Sequence, residues 1–174
     1  MSQVAKTSLR IEAYGCIDEL NAIIGMIRLA TASCADVLTR VQNDLFDLGA
    51  DLCVPSTPNE QEGDKLRVQP EHVLYLEQQI DRVNDELQPL KSFVLPGGSE
   101  AAARLHIGRT VCRRAEREVW RLAAEEQVGT TVAEYLNRLS DLLFVMARAA
   151  NDGGATDVLW EPGQGAHNSS AESV

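Results

Sequence analysis

An all-α fold, an up-and-down bundle of five helices, is predicted by three features of the sequence. Apolar residues recur in steps of three and four over five stretches, and the connections between the stretches are mostly short. Aromatic residues make up only 5% of the chain, whereas Ala, Leu, Glu and Arg are plentiful, which favours helices over a β-sandwich. The 174 residues suit one domain, with an ordered core at about 9–152 and flexible ends at 1–8 and 153–174.

The first two helices have continuous apolar faces. The face of the first helix, over residues 9–30, consists of Ile11, Tyr14, Ile17, Leu20, Ile24 and Ile27. The second helix is predicted to begin near Ser33 or Asp36, both good N-caps, and to end before Pro55. Its apolar face consists of Val37, Val41, Leu45, Leu48 and Leu52. The polar stretch 55–63, with two prolines and a glycine, is predicted to be a loop.

Three further helices follow. Pro70 suits the first position of a third helix, which Gln88-Pro89 ends. A fourth helix over residues 100–127 follows Pro96-Gly97-Gly98-Ser99, where Ser99 is the expected N-cap. Gly129-Thr130-Thr131 makes a turn before the fifth helix. The fifth helix places on one face Val132, Leu136, Leu139, Leu143 and Met146.

The overall charge and apolar content restrict the function. A formal net charge of −10 disfavours nucleic acid and anionic membranes as partners. No segment reaches the roughly 18–20 apolar residues of a membrane span, and the N-terminus lacks the apolar core of a signal peptide, so a cytoplasmic protein is expected. The scattered cysteines are expected to be free thiols rather than metal ligands: Cys16, Cys34, Cys53 and Cys112.

The fourth helix is basic within this acidic chain. Residues 97–121 contain six arginines and three glutamates, and four of the arginines are spaced by four: Arg109, Arg113, Arg117 and Arg121. From spacing alone, two interpretations of this arginine stripe remain open. The arginines could pair with acidic residues on this helix, on its neighbours or on another subunit. Alternatively, part of the stripe could bind a polyphosphate, whose oxygens match the planar guanidinium.

Two other segments have both a structural and a functional interpretation. The fifth helix carries on one face Asn137, Asp141, Phe144 and Arg148. These residues could form a polar rim on the bundle or the wall of a ligand cleft. The segment 96–99 could be a phosphate-binding turn or a simple helix entry. Neither His72 nor His106 has a glutamate three residues before it, which disfavours a di-iron bundle.

Four segments, taken in order, point to a known family. They are residues 9–21, 93–99, 106–117 and 135–144. Together they resemble the PduO-type ATP:cob(I)alamin adenosyltransferases, over roughly residues 4–152. The resemblance implies a ferritin-like five-helix bundle that assembles as a homotrimer, with active sites between adjacent subunits.

The resemblance also implies a reaction, in which the 5′-deoxyadenosyl group of ATP passes to the cobalt of cob(I)alamin and triphosphate leaves. Mg²⁺ would accompany ATP, and a cobalamin-dependent enzyme that receives the product is a further candidate partner. The ATP-binding residues implied by the match are Lys6, Arg113, Arg114, Glu116, Arg117 and Asn137, with Arg113 also catalytic. Phe93 and Phe144 would line the corrinoid and exclude its lower axial ligand. Asp18 and Arg109 would form an ion pair across the subunit interface.

The N-terminus departs from the resemblance. The family is expected to carry a Thr-Gly-Asp-x-Gly-Thr-like loop that wraps the ATP phosphates, whereas this sequence begins nine residues before Arg10. A raised KM for ATP is therefore expected. The alternative function is a helical bundle that binds a corrinoid or a protein partner, with catalysis impaired by the missing loop.

Overall fold

The protein is an all-α bundle, as the sequence predicts. The structure is a computed structural model that describes residues 8–57, 59–61 and 63–164. Its five helices are α1 (Leu9–Ala30), α2 (Ala35–Cys53), α3 (Pro70–Asn84), α4 (Glu100–Ala123) and α5 (Thr130–Ala149). A 3₁₀ turn, Asp152–Gly154, follows α5.

The helix starts follow local sequence signals. Ser8 caps α1, because its hydroxyl accepts a hydrogen bond from the Ile11 amide. Ser99 caps α4 in the same way, as predicted, through the Ala102 amide at 3.1 Å. Pro70 occupies the first turn of α3, also as predicted. The N-cap of α2 is Cys34, which makes no side-chain capping bond, so the predicted caps at Ser33 and Asp36 are wrong.

Helices α4 and α5 form the centre of the bundle. Helix α4 packs against α1 and α5, while α2 packs on α1 and α3 packs on α5. Gly108 lets α1 and α4 approach closely, since a Cβ there would lie 2.9 Å from the Ile27 Cδ1 atom. The largest fully buried side chains include Tyr135, Ile17, Leu20, Ile24, Leu45, Leu48, Leu76, Leu122 and Leu136.

Two predicted helix ends are too late in the chain. Helix α4 ends at Ala123 rather than at residue 127, and the Glu126 amide turns back to the Leu122 carbonyl. This turn places the Glu126 carboxylate against the buried Arg10 guanidinium, at 2.6 Å from Nη2. Helix α3 ends at Asn84, whereas the sequence predicts that it continues up to Gln88-Pro89.

The segment after α5 is packed against the bundle. Residues 158–160 pair in antiparallel fashion with residues 93–95, through a Leu95 amide to Val158 carbonyl bond of 2.8 Å and a Trp160 amide to Phe93 carbonyl bond of 2.7 Å. Residues 153–160 therefore belong to the packed structure rather than to the flexible tail that the sequence predicts. Among the described helices, none is long and apolar enough to cross a bilayer.

Candidate active site

The structure separates the arginines of α4 into two groups. Arg104, Arg114 and Arg121 each bind a glutamate, namely Glu100, Glu19 and Glu118 in that order. By contrast, no carboxylate among the described residues lies within 4.0 Å of the guanidinium groups of Arg109, Arg113 or Arg117. The ion-pair interpretation thus explains three of the six arginines of α4 but only Arg121 of the stripe, and the other three members remain available to an anion.

Arg109 is the most enclosed of these arginines. Its Nε atom is buried and has no hydrogen-bond partner in the described part of the chain. Burial, and then the positive charge of Arg113, lower the pKa of Arg109 from its ordinary value. An unpartnered buried guanidinium nitrogen is costly, which points to a partner outside a single chain.

A groove between α3, α4 and α5 brings together two of the predicted nucleotide-binding residues. The Asn137 Nδ2 group donates to the Glu116 Oε1 atom at 3.1 Å. The groove has a volume of about 360 Å³, and it is lined by Val73, Glu77, Glu116, Trp120, Ala133, Glu134, Asn137 and Arg138. Of these residues, only Glu116 and Asn137 are indicated by the sequence. We call this feature the α4–α5 groove.

A larger cavity lies at the other end of the same helix pair. It measures about 720 Å³, and it is lined by Leu90, Lys91, Ser92, Phe93, Val94, Arg109, Phe144 and Trp160. Phe93 is 77% exposed, and its ring centroid lies 6.0 Å from that of Trp160. The structure therefore brings together Phe93 and Phe144, the two residues that the resemblance assigns to the corrinoid. We call this feature the Phe93 cavity.

The groove and the cavity lie on one side of the α4–α5 pair. Seven residues separate Arg109 from Glu116 on α4, and seven separate Asn137 from Phe144 on α5. Seven residues are nearly two helical turns, or about 10 Å, so each pair shares one helical face. Arg113 lies between Arg109 and Glu116 on that stretch of α4. Along α4, Arg113 thus falls between a residue of the cavity and a residue of the groove, and no described carboxylate pairs with it.

Other predicted residues lie elsewhere. Asp18 is exposed on the α1–α2 side, next to Phe46, whereas Arg109 faces the Phe93 cavity, so one chain does not bring them together. Arg114 pairs with Glu19 on α1 rather than pointing to the α4–α5 groove. Lys6 lies outside the described residues.

A buried histidine lies behind the Phe93 cavity, and the sequence indicates no role for it. The His106 ring packs on Phe144, with centroids 6.3 Å apart, and neither ring nitrogen has a hydrogen-bond partner among the described residues. Burial, and then the nearby charge of Arg109, lower the pKa of His106 from its ordinary value. The imidazole is therefore neutral at neutral pH.

The sequence also misses Lys91 and Trp160 on the cavity wall. The only signal for Trp160 is the short apolar run Val158-Leu159-Trp160 in a segment that otherwise lacks periodicity. Nothing in the local sequence indicates that this run returns to residues 93–95.

The described residues contain one cluster with the donor types of a metal site. Ligand atoms of Asp44, Asp47 and His72 lie within 4.8 Å of one another. Asp44 is already engaged, because its Oδ2 atom accepts a hydrogen bond from the buried Tyr135 hydroxyl at 3.0 Å and lies 4.0 Å from the Arg40 Nε atom. These partners account for the carboxylate without a metal.

Comparison with known proteins agrees with this arrangement. The family model described as cobalamin adenosyltransferase matches residues 1–150. The corrinoid adenosyltransferase of Mycobacterium leprae is 49% identical, with 93% of this chain and 87% of that protein covered. The corrinoid adenosyltransferase of Bacillus subtilis is 45% identical, with 90% and 82% covered.

A solved structure is similar as well. A phenylalanine-to-histidine variant of a PduO-type ATP:corrinoid adenosyltransferase from Lactobacillus reuteri, complexed with cobalamin and ATP, superposes with a TM-score of 0.83. It is 35% identical, with 91% of this chain and 87% of that chain covered. The fold and site thus define a helical-bundle adenosyltransferase. More particularly, the chain belongs to the cobalamin adenosyltransferase family.

Proposed function

We propose that this chain transfers the 5′-deoxyadenosyl group of ATP to the cobalt of cob(I)alamin, with the nucleotide along the α4–α5 groove and the corrinoid in the Phe93 cavity. The observation that carries the assignment is the position of Arg113. This residue is exposed and has no carboxylate partner in the described part of the chain, and on α4 it falls four residues after Arg109 of the cavity and three before Glu116 of the groove.

The chemistry of the transfer explains this placement. The Co(I) centre of the substrate attacks C5′ of ATP, so a cobalt–carbon bond forms while the C5′–O bond breaks. The electron pair of the broken bond leaves on triphosphate. Fixed cations at the leaving group stabilise this charge, and Arg113 and Arg117, on successive turns of α4, offer two guanidinium groups that pair with no carboxylate of the described residues. Arg113 is therefore the residue to which we assign the catalytic role.

The groove suits the nucleoside end of ATP. Asn137 offers an amide that can read hydrogen-bonding groups of a base or ribose, and Glu116 holds this amide at 3.1 Å. Trp120 and Val73 supply apolar surface on the same groove. Magnesium prefers oxygen ligands and binds chiefly to the phosphates of ATP, so we assign no protein side chain to it.

The cavity suits a large, partly apolar ligand. Phe93, Phe144 and Trp160 supply aromatic surface, and the neutral His106 behind Phe144 adds no charge. Apolar side chains against the lower face of a corrinoid leave no room for a polar axial ligand. They thereby favour the lower-coordinate cobalt that is easier to reduce.

A homotrimer would supply the partner that Arg109 lacks. Asp18 and Arg109 lie on different sides of one chain, which is the arrangement an intersubunit ion pair requires. The α1–α4 surface also exposes Met26, Leu29 and Ile107, a set of large apolar residues suited to burial in an interface. All four cysteines are unpaired, which fits the reducing cytoplasm. The product is itself a cofactor, so we propose a cobalamin-dependent enzyme as the partner that receives it.

The direct test is a spectroscopic assay of the purified chain. Cob(I)alamin is generated with a chemical reductant, ATP is added, and the absorbance of adenosylcobalamin is followed together with triphosphate release. We expect one triphosphate for each adenosylcobalamin formed. Bound cobalamin that keeps its Co(I) spectrum after ATP is added would contradict the proposal and favour a corrinoid-binding role.

A further inference from the structure

The loop that carries Phe93 is held by the last turn of α5 and by the segment that follows it. At one end, the Gln88 amide donates to the Gly153 carbonyl, and the Arg148 Nη2 group donates to the Gln88 carbonyl at 2.6 Å. In the middle, residues 93–95 pair with residues 158–160. The Ser92 hydroxyl adds a bond of 2.8 Å to the Trp160 carbonyl.

The other end of the loop is held by Asn151, which is almost fully buried. Its Oδ1 atom accepts from the Ser99 amide at 2.9 Å, and its Nδ2 group donates to the Gly97 carbonyl. Gly98 adopts φ +96°, and a Cβ there would lie 2.3 Å from the Asn151 Oδ1 atom. Only glycine fits this turn, so the position of Asn151 determines where the loop enters α4.

Asp157 connects Arg148 and Asn151, the two residues that hold the ends of the loop. Its side chain is 2% exposed, and it accepts hydrogen bonds from the Arg148 Nε group at 2.8 Å and from the Asn151 Nδ2 group at 3.2 Å. Arg148 is also buried, at 6% exposed. A buried and fully engaged ion pair fixes geometry, because any displacement would leave a charge without a partner. We call Arg148, Asn151 and Asp157 the polar clamp.

We propose that the polar clamp positions Phe93 and Trp160 on the wall of the corrinoid cavity, so that its three members are positioning residues for corrinoid binding. The clamp does not line the Phe93 cavity, and it acts through the backbone of residues 88–99 and 155–160. This inference rests on the proposed function, since it takes the Phe93 cavity to be the corrinoid site.

The test compares two aspartates in the whole protein. Asp157→Asn removes the charge of the clamp with little change in shape. Asp51→Asn is the matched control, because Asp51 is also buried and binds an arginine, Arg67, at 2.6 Å, but it lies in the last turn of α2 and its partner lies in the α2–α3 connection. Both variants lose a buried ion pair, so both are expected to melt at lower temperature.

The readout is the dissociation constant of cobalamin beside the KM for ATP, measured well below the melting temperature of each variant. Asp157→Asn is expected to raise the cobalamin constant about tenfold and the KM for ATP less than twofold. Asp51→Asn is expected to change both less than twofold. Equal effects of the two variants on cobalamin binding would overturn the proposal, since a general loss of stability would then explain them.

A second variant covers the case in which Asp157→Asn does not fold. Ser92→Ala removes the exposed hydrogen bond to the Trp160 carbonyl and is expected to raise the cobalamin constant about two- to threefold. Because Ser92 also lines the cavity, Ser92→Thr is measured beside it: this variant keeps the hydroxyl and is expected to change the constant less than twofold. No change in that constant with Ser92→Ala would count against the clamp. Phe93→Ala tests the assignment of the cavity independently of the clamp. If this variant still binds cobalamin normally, the assignment of the cavity to the corrinoid is wrong. If Phe93→Ala weakens binding while Asp157→Asn and Ser92→Ala do not, only the clamp is wrong.

Discussion

The α4–α5 groove and the Phe93 cavity differ in how the chain builds them. The groove residues lie on regular helices, so their relative positions follow from helical spacing. The cavity wall comes mainly from two irregular segments, residues 90–94 and Trp160, whose positions depend on tertiary hydrogen bonds. The geometry of the groove thus follows from local helix formation, whereas the cavity forms only when segments distant in the chain pair with each other. The groove residues offer charged and amide groups, and the irregular segments offer most of the aromatic surface of the cavity.

The largest expected effect is on catalysis, from the loss of an arginine on α4. Arg113→Ala should lower kcat/KM by about 10²–10³, because a fixed cation is lost where the triphosphate charge develops. The melting temperature should hardly change, since Arg113 is exposed and unpaired with any described carboxylate. Arg121→Ala is the matched control, because Arg121 is an exposed arginine on the same helix that binds Glu118. Similar losses in the two variants would show that only the general charge of α4 matters.

A smaller and different effect is expected on the cavity side. Phe93→Ala should raise the cobalamin dissociation constant about 30- to 100-fold through lost aromatic contact and leave the KM for ATP unchanged. Leu66→Ala is the control, since Leu66 is 54% exposed in the connection between α2 and α3 and lines neither the groove nor the cavity. A parallel rise in the KM for ATP would mean that the groove and the cavity do not act as separate regions.

The boundary between subunits can be tested by exchanging charges. Asp18→Arg should weaken assembly about tenfold, because it would place two cations together at the predicted Asp18–Arg109 pair. The double variant with Arg109→Asp should restore the assembly, as measured by sedimentation equilibrium. Asp36→Arg, an exposed charge reversal in the first turn of α2, should leave assembly unchanged. Failure of the double variant to recover would argue against this pairing.

The smallest expected effect is on the pH dependence of stability, through His106, which packs on Phe144. Because the folded-state pKa of His106 lies below its ordinary value of 6.5, the unfolded chain binds a proton more readily than the folded protein. Stability should therefore fall as pH decreases below about 6.5, by at most about 1.4 kcal/mol per pH unit from this group. His106→Phe should flatten this part of the profile in thermal melts between pH 5 and 7. An unchanged slope would assign the acid sensitivity to other groups.

The two regions also differ in how far the sequence could predict them. Spacing by four placed Arg113 and Arg117 on one helical face, and the resemblance added Glu116 and Asn137 and the apolar residues Phe93 and Phe144. Spacing could not show which arginines are paired, because the glutamate that binds Arg114 is Glu19 on another helix. Only the packing of α1 against α4 shows that Arg114 is paired with a carboxylate while Arg113 and Arg117 are not, among the residues that the structure describes.

The cavity was less predictable because its wall depends on distant pairings. Trp160 lies in a segment that the sequence assigns to a flexible tail, yet its amide binds the Phe93 carbonyl. The polar clamp holds the two segments together. Sequence analysis relies on regular spacing of residues, and a buried pair between Arg148 and Asp157 produces no such spacing. The helix ends at Ala123 and Asn84 were missed for the same reason, since nearby tertiary bonds to Arg10 and Arg148 use the turns that follow.

The pairing of residues 93–95 with 158–160 has a consequence for the order of folding. The partners are more than sixty residues apart in the chain, so their union closes a long loop that α4 and α5 must first bridge. Contacts at such separation form late, and during synthesis from the N-terminus all five α-helices emerge before residues 158–160 do. We expect the nascent protein to gain its charged surface first and its corrinoid wall last. A chain released too early would hold the helices that bear the arginines but lack the surface against which the cobalt substrate packs.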